Sequence, residues 1–267
     1  MINTNYSDIL VETAEVCRKA GAFQLLHFGK IESGQIEDKG LNQLVSFVDI
    51  ETEKILVAEL SVLFPEAGFV TEESTIESNR DKEFLWIIDP LDGTTNFLHG
   101  IPAFSVSVAL VQNNIPILGV VYIPVWNEMF TAEKGKGAFL NGNAISVTQT
   151  AKLSQTLIAT GFPYYEFDYM EPYLAVLRNL MKNTHGLRRM GSAAIDLAYT
   201  ACGKFDAFFE LGLHAWDVAA GILLVKEAGG NVSDFKGQND FLFGKSIIAG
   251  NKVVFSEFTT EIRKHFP

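Results

Sequence analysis

Apolar side chains recur at helical spacing in two early stretches of the chain. Ile9, Leu10, Val16, Cys17, Ala20, Phe23 and Leu26 line one side of residues 7–28 and end at Gly29, which predicts an amphipathic helix. Ile50, Ile55, Leu56, Leu60 and Leu63 repeat the pattern over 49–64, with Asp49 as N-cap and Pro65 as the stop. A loop containing Lys39 and Gly40 joins the two. The pattern then changes to strands at 69–72, 84–89, 104–112 and 116–124, and Asn113 and Asn114 mark a hairpin turn between the last two. A further strand pair follows in NEMFTAEKGKGAFLNG. The first half thus reads as two helices against a largely antiparallel sheet.

Beyond about residue 145 strands and helices alternate. TLIATG, FDAFFE and SIIAG read as strands. Helices are expected over 171–181, from Ser192 onward, through AWDVAAGILLVKEAGG, and at the end of the chain near Phe266. The change of texture predicts two parts, 1–148 and 149–267, in an α/β (α+β) fold.

Of the 267 residues 48% are hydrophobic and 20% charged, so a packed core is expected and general disorder is excluded. The 21 Lys and Arg against 32 Asp and Glu give a formal charge of -11, which leaves no basic field for nucleic acid as the main ligand. Cys17 and Cys202 lie in apolar helical patterns without metal-type spacing and read as buried thiols. The N-terminal segment lacks a basic region followed by an apolar one, and no apolar run is long enough to span a bilayer. The expectation is a soluble protein of a reducing cytoplasm, without a membrane partner.

Chemistry concentrates in WIIDPLDGTTNF. An apolar strand delivers Asp89, Pro90 fixes the backbone, and Asp92 follows beside Gly93 and two threonines, so two carboxylates are aimed at one place. Such oxygen donors suit a hard cation, and the residues from Gly93 can open a short helix whose free N–H groups face an anion. The same letters also suit a type I turn. Asp217 begins a second apolar helix, where a carboxylate answering the helix dipole is an equal reading. Glu72 and Glu73 end the FVTEES strand, where a solvated loop charge is the alternative. Were Glu72, Asp89, Asp92 and Asp217 to converge, each close pair would cost on the order of a few kcal/mol unless cations intervened.

GFVTEES, WIIDPLDGTTNFLHGIPAFSVSVAL, the GSAA of residues 191–194 and FFELGLHAWDVAAG together resemble the inositol monophosphatase family, over nearly the whole chain. Members are Mg²⁺-dependent, lithium-sensitive phosphomonoesterases related to fructose-1,6-bisphosphatases and nucleotide 3′-phosphatases. The resemblance implies a layered α-β-α-β-α sandwich of the sugar phosphatase type, two to three Mg²⁺ ions, and commonly a homodimer. By position it implies that Glu72, Asp89 and the Leu91 carbonyl hold one ion, with Asp89, Asp92 and Asp217 on a second. It also implies that Glu72 and Thr94 orient the attacking water and that the Gly93 and Thr94 amides hold phosphate. Gly191, Ser192, Ala193 and Glu210 match the segments that receive the sugar or inositol ring. Ser192 as a helix cap and Glu210 as a strand-end charge are the alternatives there. Asp49 matches a carboxylate behind the metal ligands, and Lys39 the lysine of a loop near the metals. The stretch KGLNQLVSFVD departs from many relatives, with Asn42 and Gln43 where those are acidic. His214 is assigned no part in the site.

The expected activity is direct hydrolysis of inositol monophosphate to inositol and phosphate, without a phospho-enzyme. Alternatives on the same fold are phosphatases of fructose-1,6-bisphosphate, NADP or a nucleotide 3′-phosphate, and, in a different class, a non-catalytic interaction protein.

Overall fold

The structure is a computed structural model that describes residues 5–31, 36–40, 43–163 and 167–266. The chain opens with α1 (Tyr6–His27), an antiparallel hairpin of β1 (Ile36–Gly40) and β2 (Gln43–Ser46), and α2 (Phe47–Leu63). There follow β3 (Gly68–Thr71), β4 (Phe84–Asp92), the short α3 (Thr94–Leu98), β5 (Ser105–Gln112), β6 (Ile115–Ile123), β7 (Glu128–Glu133), β8 (Gly137–Leu140) and β9 (Asn143–Ala144). The seven strands from β3 to β9 form one sheet in chain order, antiparallel except for the β3–β4 pair.

The chain then changes sheet. β10 (Leu157–Thr160), α4 (Met170–Asn183), β11 (Gly186–Arg188), α5 (Ala193–Ala201), β12 (Ala207–Leu211), α6 (Ala215–Glu227), β13 (Asn231–Ser233), β14 (Ser246–Gly250) and α7 (Phe255–Arg263) complete it. The second sheet has the order β11-β10-β12-β14-β13 and mixed direction.

Strand alternation sorts the core into layers. Trp86 and Ile88 of β4 point with Val108 and Leu118 toward Cys17, Leu56 and Leu60 of α1 and α2. Ile87, between them, points the other way with Ala109 and Val121, toward Ile195, Leu197, Ala220 and Leu224 of α5 and α6. That helix pair also covers Phe208 and Ile247 of the second sheet. The neighbouring Phe209 and Ile248 face outward onto Tyr173, Val176, Phe258 and Ile262 of α4 and α7. The result is an α-β-α-β-α sandwich, and among the described residues no helix is long and apolar enough to cross a membrane.

Several local expectations are corrected. α2 is capped by Ser46, whose hydroxyl accepts the Val48 N–H, and Asp49 is the third helical residue, closing a capping box by accepting the Ser46 N–H at 2.9 Å. The stretch expected as a loop around Gly40 contains the β1–β2 hairpin. Lys39 lies on β1, its side chain outside the described residues, as is Asn42. Cys17 is buried, whereas Cys202 is the half-buried C-cap of α5. The hairpin turn does sit at Asn113 and Asn114, both with positive φ (49° and 62°).

α5 and α6, whose N-termini later prove to carry site residues, cross closely at Gly221. A Cβ there would lie 2.5 Å from Cβ and Cδ1 of Leu197. Gly221→Ala gains up to about 1 kcal/mol of helix propensity but overpacks the crossing by about 1–3 kcal/mol. A net loss of about 1 kcal/mol is expected in urea denaturation, and a stabilised variant would contradict this packing.

Candidate active site

In a regular strand residues three apart face opposite sides, so Asp89 and Asp92 should diverge. A bulge prevents this. Asp89 pairs with Ser107 and Asp92 with Ser105, three residues on β4 answering two on β5. Both carboxylates thereby reach the same place, where Asp217 joins them from the first turn of α6. One oxygen of each of Asp89, Asp92 and Asp217 lies within 4.8 Å of the others. Glu72 follows β3, its N–H bonded to Ile88 O at 3.3 Å, and its carboxyl is close enough to Asp89 and Asp217 for their charges to act on one another. Four acidic residues thus meet at the ends of β3 and β4 and the start of α6.

Each is fixed by donors from elsewhere. Asp89 Oδ1 accepts the Leu91 N–H at 3.0 Å, and the adjoining Pro90 carbonyl is held by Gln24 Nε2 of α1 at 2.6 Å. Asp92 Oδ2 accepts the Ser192 hydroxyl at 2.6 Å and the Ala194 N–H at 2.7 Å. Ser192 also caps α5 by accepting the Ile195 N–H, so the alternative reading of it as a helix cap holds, joined to its bond to Asp92. Asp217 Oδ2 accepts the His214 N–H at 2.6 Å across the start of α6, and His214 stacks on Trp216. Behind the cluster Thr94 Oγ1 lies 2.8 Å from Asp49 Oδ1 and 3.0 Å from the Leu91 carbonyl, so its single proton has two acceptors.

The turn between β4 and α3 depends on Gly93, with φ at 97° and a Cβ position only 2.8 Å from the Ala103 carbonyl. No side chain fits either condition. α3 starts at Thr94, and its first internal bond runs from Phe97 N–H to Gly93 O, leaving the preceding N–H groups for a ligand. Gly191 is likewise in the left-handed region (φ 87°), and Asn96 Nδ2 ties this turn to α3 through Met190 O at 2.8 Å. Glu210 stands on β12, buried, with its carboxylate over Gly161.

Sequence reading missed the residues that hold this arrangement from a distance. Glu53 is buried on α2 and its two oxygens accept the Glu73 and Thr75 N–H groups, each at 2.7 Å, which shapes the loop carrying Glu72. Its signal was an acid on the apolar stripe of Asp49, Leu56 and Leu60. Gln24 offered no comparable signal.

Electrostatics set the character of the site. Burial first, then Glu72, Asp92 and Asp217, drives the Asp89 carboxyl well above its ordinary range. Glu72 is raised by burial and by Asp217, and Asp217 by burial and by Asp92. Asp92 is pushed up to about 6 by burial, the Ser192 and Ala194 bonds opposing. Glu210 goes to about 8 by burial and by Asp92, with Arg189 opposing. Protons or cations must therefore occupy the cluster, and an all-oxygen, anionic donor set fits a hard divalent cation.

A five-layer sandwich with an acidic cluster at the seam of its two sheets is the architecture of a sugar-phosphatase-type hydrolase. The inositol monophosphatase family model matches residues 5–266. An inositol-1-monophosphatase of Mesorhizobium japonicum is 43% identical over 258 residues, covering 97% of each chain. The Nus factor SuhB of Pseudomonas aeruginosa is 42% identical, covering 94% of each. The crystal structure of the extragenic suppressor protein suhB from Bartonella henselae superposes with a TM-score of 0.90 at 42% identity, over 98% of this chain and 99% of that one. The chain belongs to the inositol monophosphatase family, and with it to the phosphoric monoester hydrolases.

A carboxyl whose pKa is higher folded than unfolded binds protons in the fold. The stability it lends below about pH 4 is lost as pH rises through the folded value. With Asp92 at about 6 and Glu210 at about 8, EDTA-treated protein is expected to melt at a lower temperature near pH 8.5 than near pH 5. Mg²⁺ should raise the melting temperature more at the higher pH. A metal-free protein that gains stability toward alkaline pH would show the cluster to be differently charged.

Proposed function

We propose that the protein hydrolyses inositol monophosphate to inositol and phosphate with Mg²⁺. The observation that carries this reading is the convergence of the Asp89, Asp92 and Asp217 carboxylates beside a free helix start. Glu72, Asp89, the Leu91 carbonyl, Asp92 and Asp217 would hold two to three ions. When bound, these supply a water of lowered pKa and neutralise charge on the ester.

The chain's own groups supply the rest. Thr94, its proton directed to Asp49, is left to accept a hydrogen bond from the attacking water, and Glu72 orients that water from the other side. The N–H groups of Gly93 and Thr94 take phosphate oxygens. Ser192 and Ala194 keep Asp92 from turning away, which holds its second oxygen toward the site. Glu210 and the Gly191–Ala193 turn receive ring hydroxyls. No side-chain nucleophile is needed, so water attacks phosphorus directly. The family assignment and the relative named inositol-1-monophosphatase support this substrate over other esters on the same fold.

A partner role beside catalysis is favoured by the relative named Nus factor SuhB. Self-association as a homodimer is supported by the resemblance and by apolar Met170, Leu174 and Met181, exposed along α4.

Phosphate release from myo-inositol 1-phosphate, fructose-1,6-bisphosphate, NADP and a nucleotide 3′-phosphate, each with Mg²⁺ or EDTA, tests the reading. Inositol 1-phosphate is expected to be preferred, EDTA to abolish turnover, and Asp92→Asn to lower kcat by about 10²-fold or more. Preference for another ester would move the substrate, and full activity of Asp92→Asn would remove the mechanism.

In the same assay Thr94→Ala and Asp49→Asn should each lower kcat more than they raise KM, because both act on the water and not on the ring. Equal losses in the two parameters, or a pure KM effect, would contradict that role.

A further inference from the structure

β10 and β12 run parallel, with Thr160 opposite Phe209. One residue further on each, Gly161 and Glu210 meet. A Cβ built on Gly161 would lie 1.8 Å from Glu210 Oε1, 2.0 Å from its Cδ and 2.3 Å from Oε2. The carboxylate therefore lies against the Gly161 backbone, in the volume the smallest side chain would occupy. Gly161 is outside the left-handed φ region, so its backbone does not call for glycine. The space does.

Neither strand end is free to yield. The buried Tyr173 hydroxyl is 3.0 Å from the Gly161 carbonyl, and the Thr160 hydroxyl is 2.9 Å from the Phe209 carbonyl, with the two hydroxyls 2.7 Å apart. Donation from Tyr173 to Gly161 and from Thr160 to Phe209 satisfies both carbonyls and ties the backbone immediately around the Gly161–Glu210 contact. Aromatic packing supports the clamp from behind, with the Tyr173 and Phe209 ring centroids 5.2 Å apart.

We propose that Gly161 is a positioning residue that sets where Glu210 presents its carboxylate, and so sets the preference of the site for a polyol ring over an ester without hydroxyls. This rests on the reading of Glu210 as a ring contact. A side chain at position 161 drives the carboxylate off the strand and into the space the ring would fill. Phosphate binding and the water-orienting Thr94 and Glu72, with Asp49 behind Thr94, lie on other elements and are not addressed by this displacement.

The test compares kcat/KM for myo-inositol 1-phosphate and for 4-nitrophenyl phosphate, which offers Glu210 no hydroxyl, in Mg²⁺-loaded wild type, Gly161→Ala, Glu210→Ala and the double variant. Gly161→Ala is expected to lower the ratio of the two by about tenfold, through KM for the inositol ester, as loss of one buried hydrogen bond would. In the Glu210→Ala background the same substitution should change the ratio by less than about twofold. An unchanged ratio in Gly161→Ala, or an equal fall in both backgrounds, overturns the proposal. Gly161→Ala/Glu210→Asp shortens the acid and should recover the ratio, or recover folding if the single variant does not fold. Failure to recover either overturns the proposal too. Wild type inactive on inositol 1-phosphate would reject the substrate reading instead. A crystal structure of Gly161→Ala then judges the packing separately, an unmoved Glu210 carboxylate being the contrary result.

Discussion

Like charges brought together out of water constrain everything else in this molecule. Two carboxylates about 4 Å apart repel by about 4 kcal/mol at an effective dielectric near 20, and four acidic side chains share the seam here. The fold tolerates this because the acidic residues are held from elsewhere in the chain. Asp92 is gripped by α5, Asp217 by the His214 N–H, Asp89 by its own strand end, and the Glu72 loop by Glu53 from α2. The repulsion is expressed as proton uptake, and a cation relieves it at less structural cost than rearrangement would.

Sequence and structure agree best where one residue's type and its immediate neighbours decide the outcome. Asp89 and Asp92 are legible because an apolar strand, a proline, a glycine and two threonines stand in one short run. Asp217 is legible because an apolar helix begins there. Gln24 and Glu53 are not, since what they do is fixed by contacts many residues away on a different element. The β1–β2 hairpin is hidden for another reason: its short polar strands carry no alternation. The cap of α2 was misassigned to Asp49 because Ser46 and Asp49 both satisfy the local rule, and only the box they form together settles which is which. The bulge in β4 left no mark that periodicity could detect, although the convergence of Asp89 and Asp92 depends on it.

The site divides by origin. Glu72, Asp89, Asp92, Gly93 and Thr94 come from the first sheet and its loops, whereas Asp217, Ser192 and Glu210 come from the second half of the chain. α5 and α6 lie between the sheets and present their N-termini to the same seam, so hydrophobic packing of Leu197 on Gly221 positions groups that act in chemistry some distance off. The acidic set therefore draws on both halves of the chain, Asp92 of the first sheet being held by Ser192 and Ala194 of α5 and Asp217 standing on α6.

The bulge between Asp89 and Asp92 also fixes the length of the chain at that point. With three steps from Asp89 to Asp92, a regular strand would turn Asp92 into the opposite layer, among Trp86 and Ile88, so the bulge and the length of this step can change only together. Length variation among descendants of this sequence should therefore spare the four-residue step that makes the site.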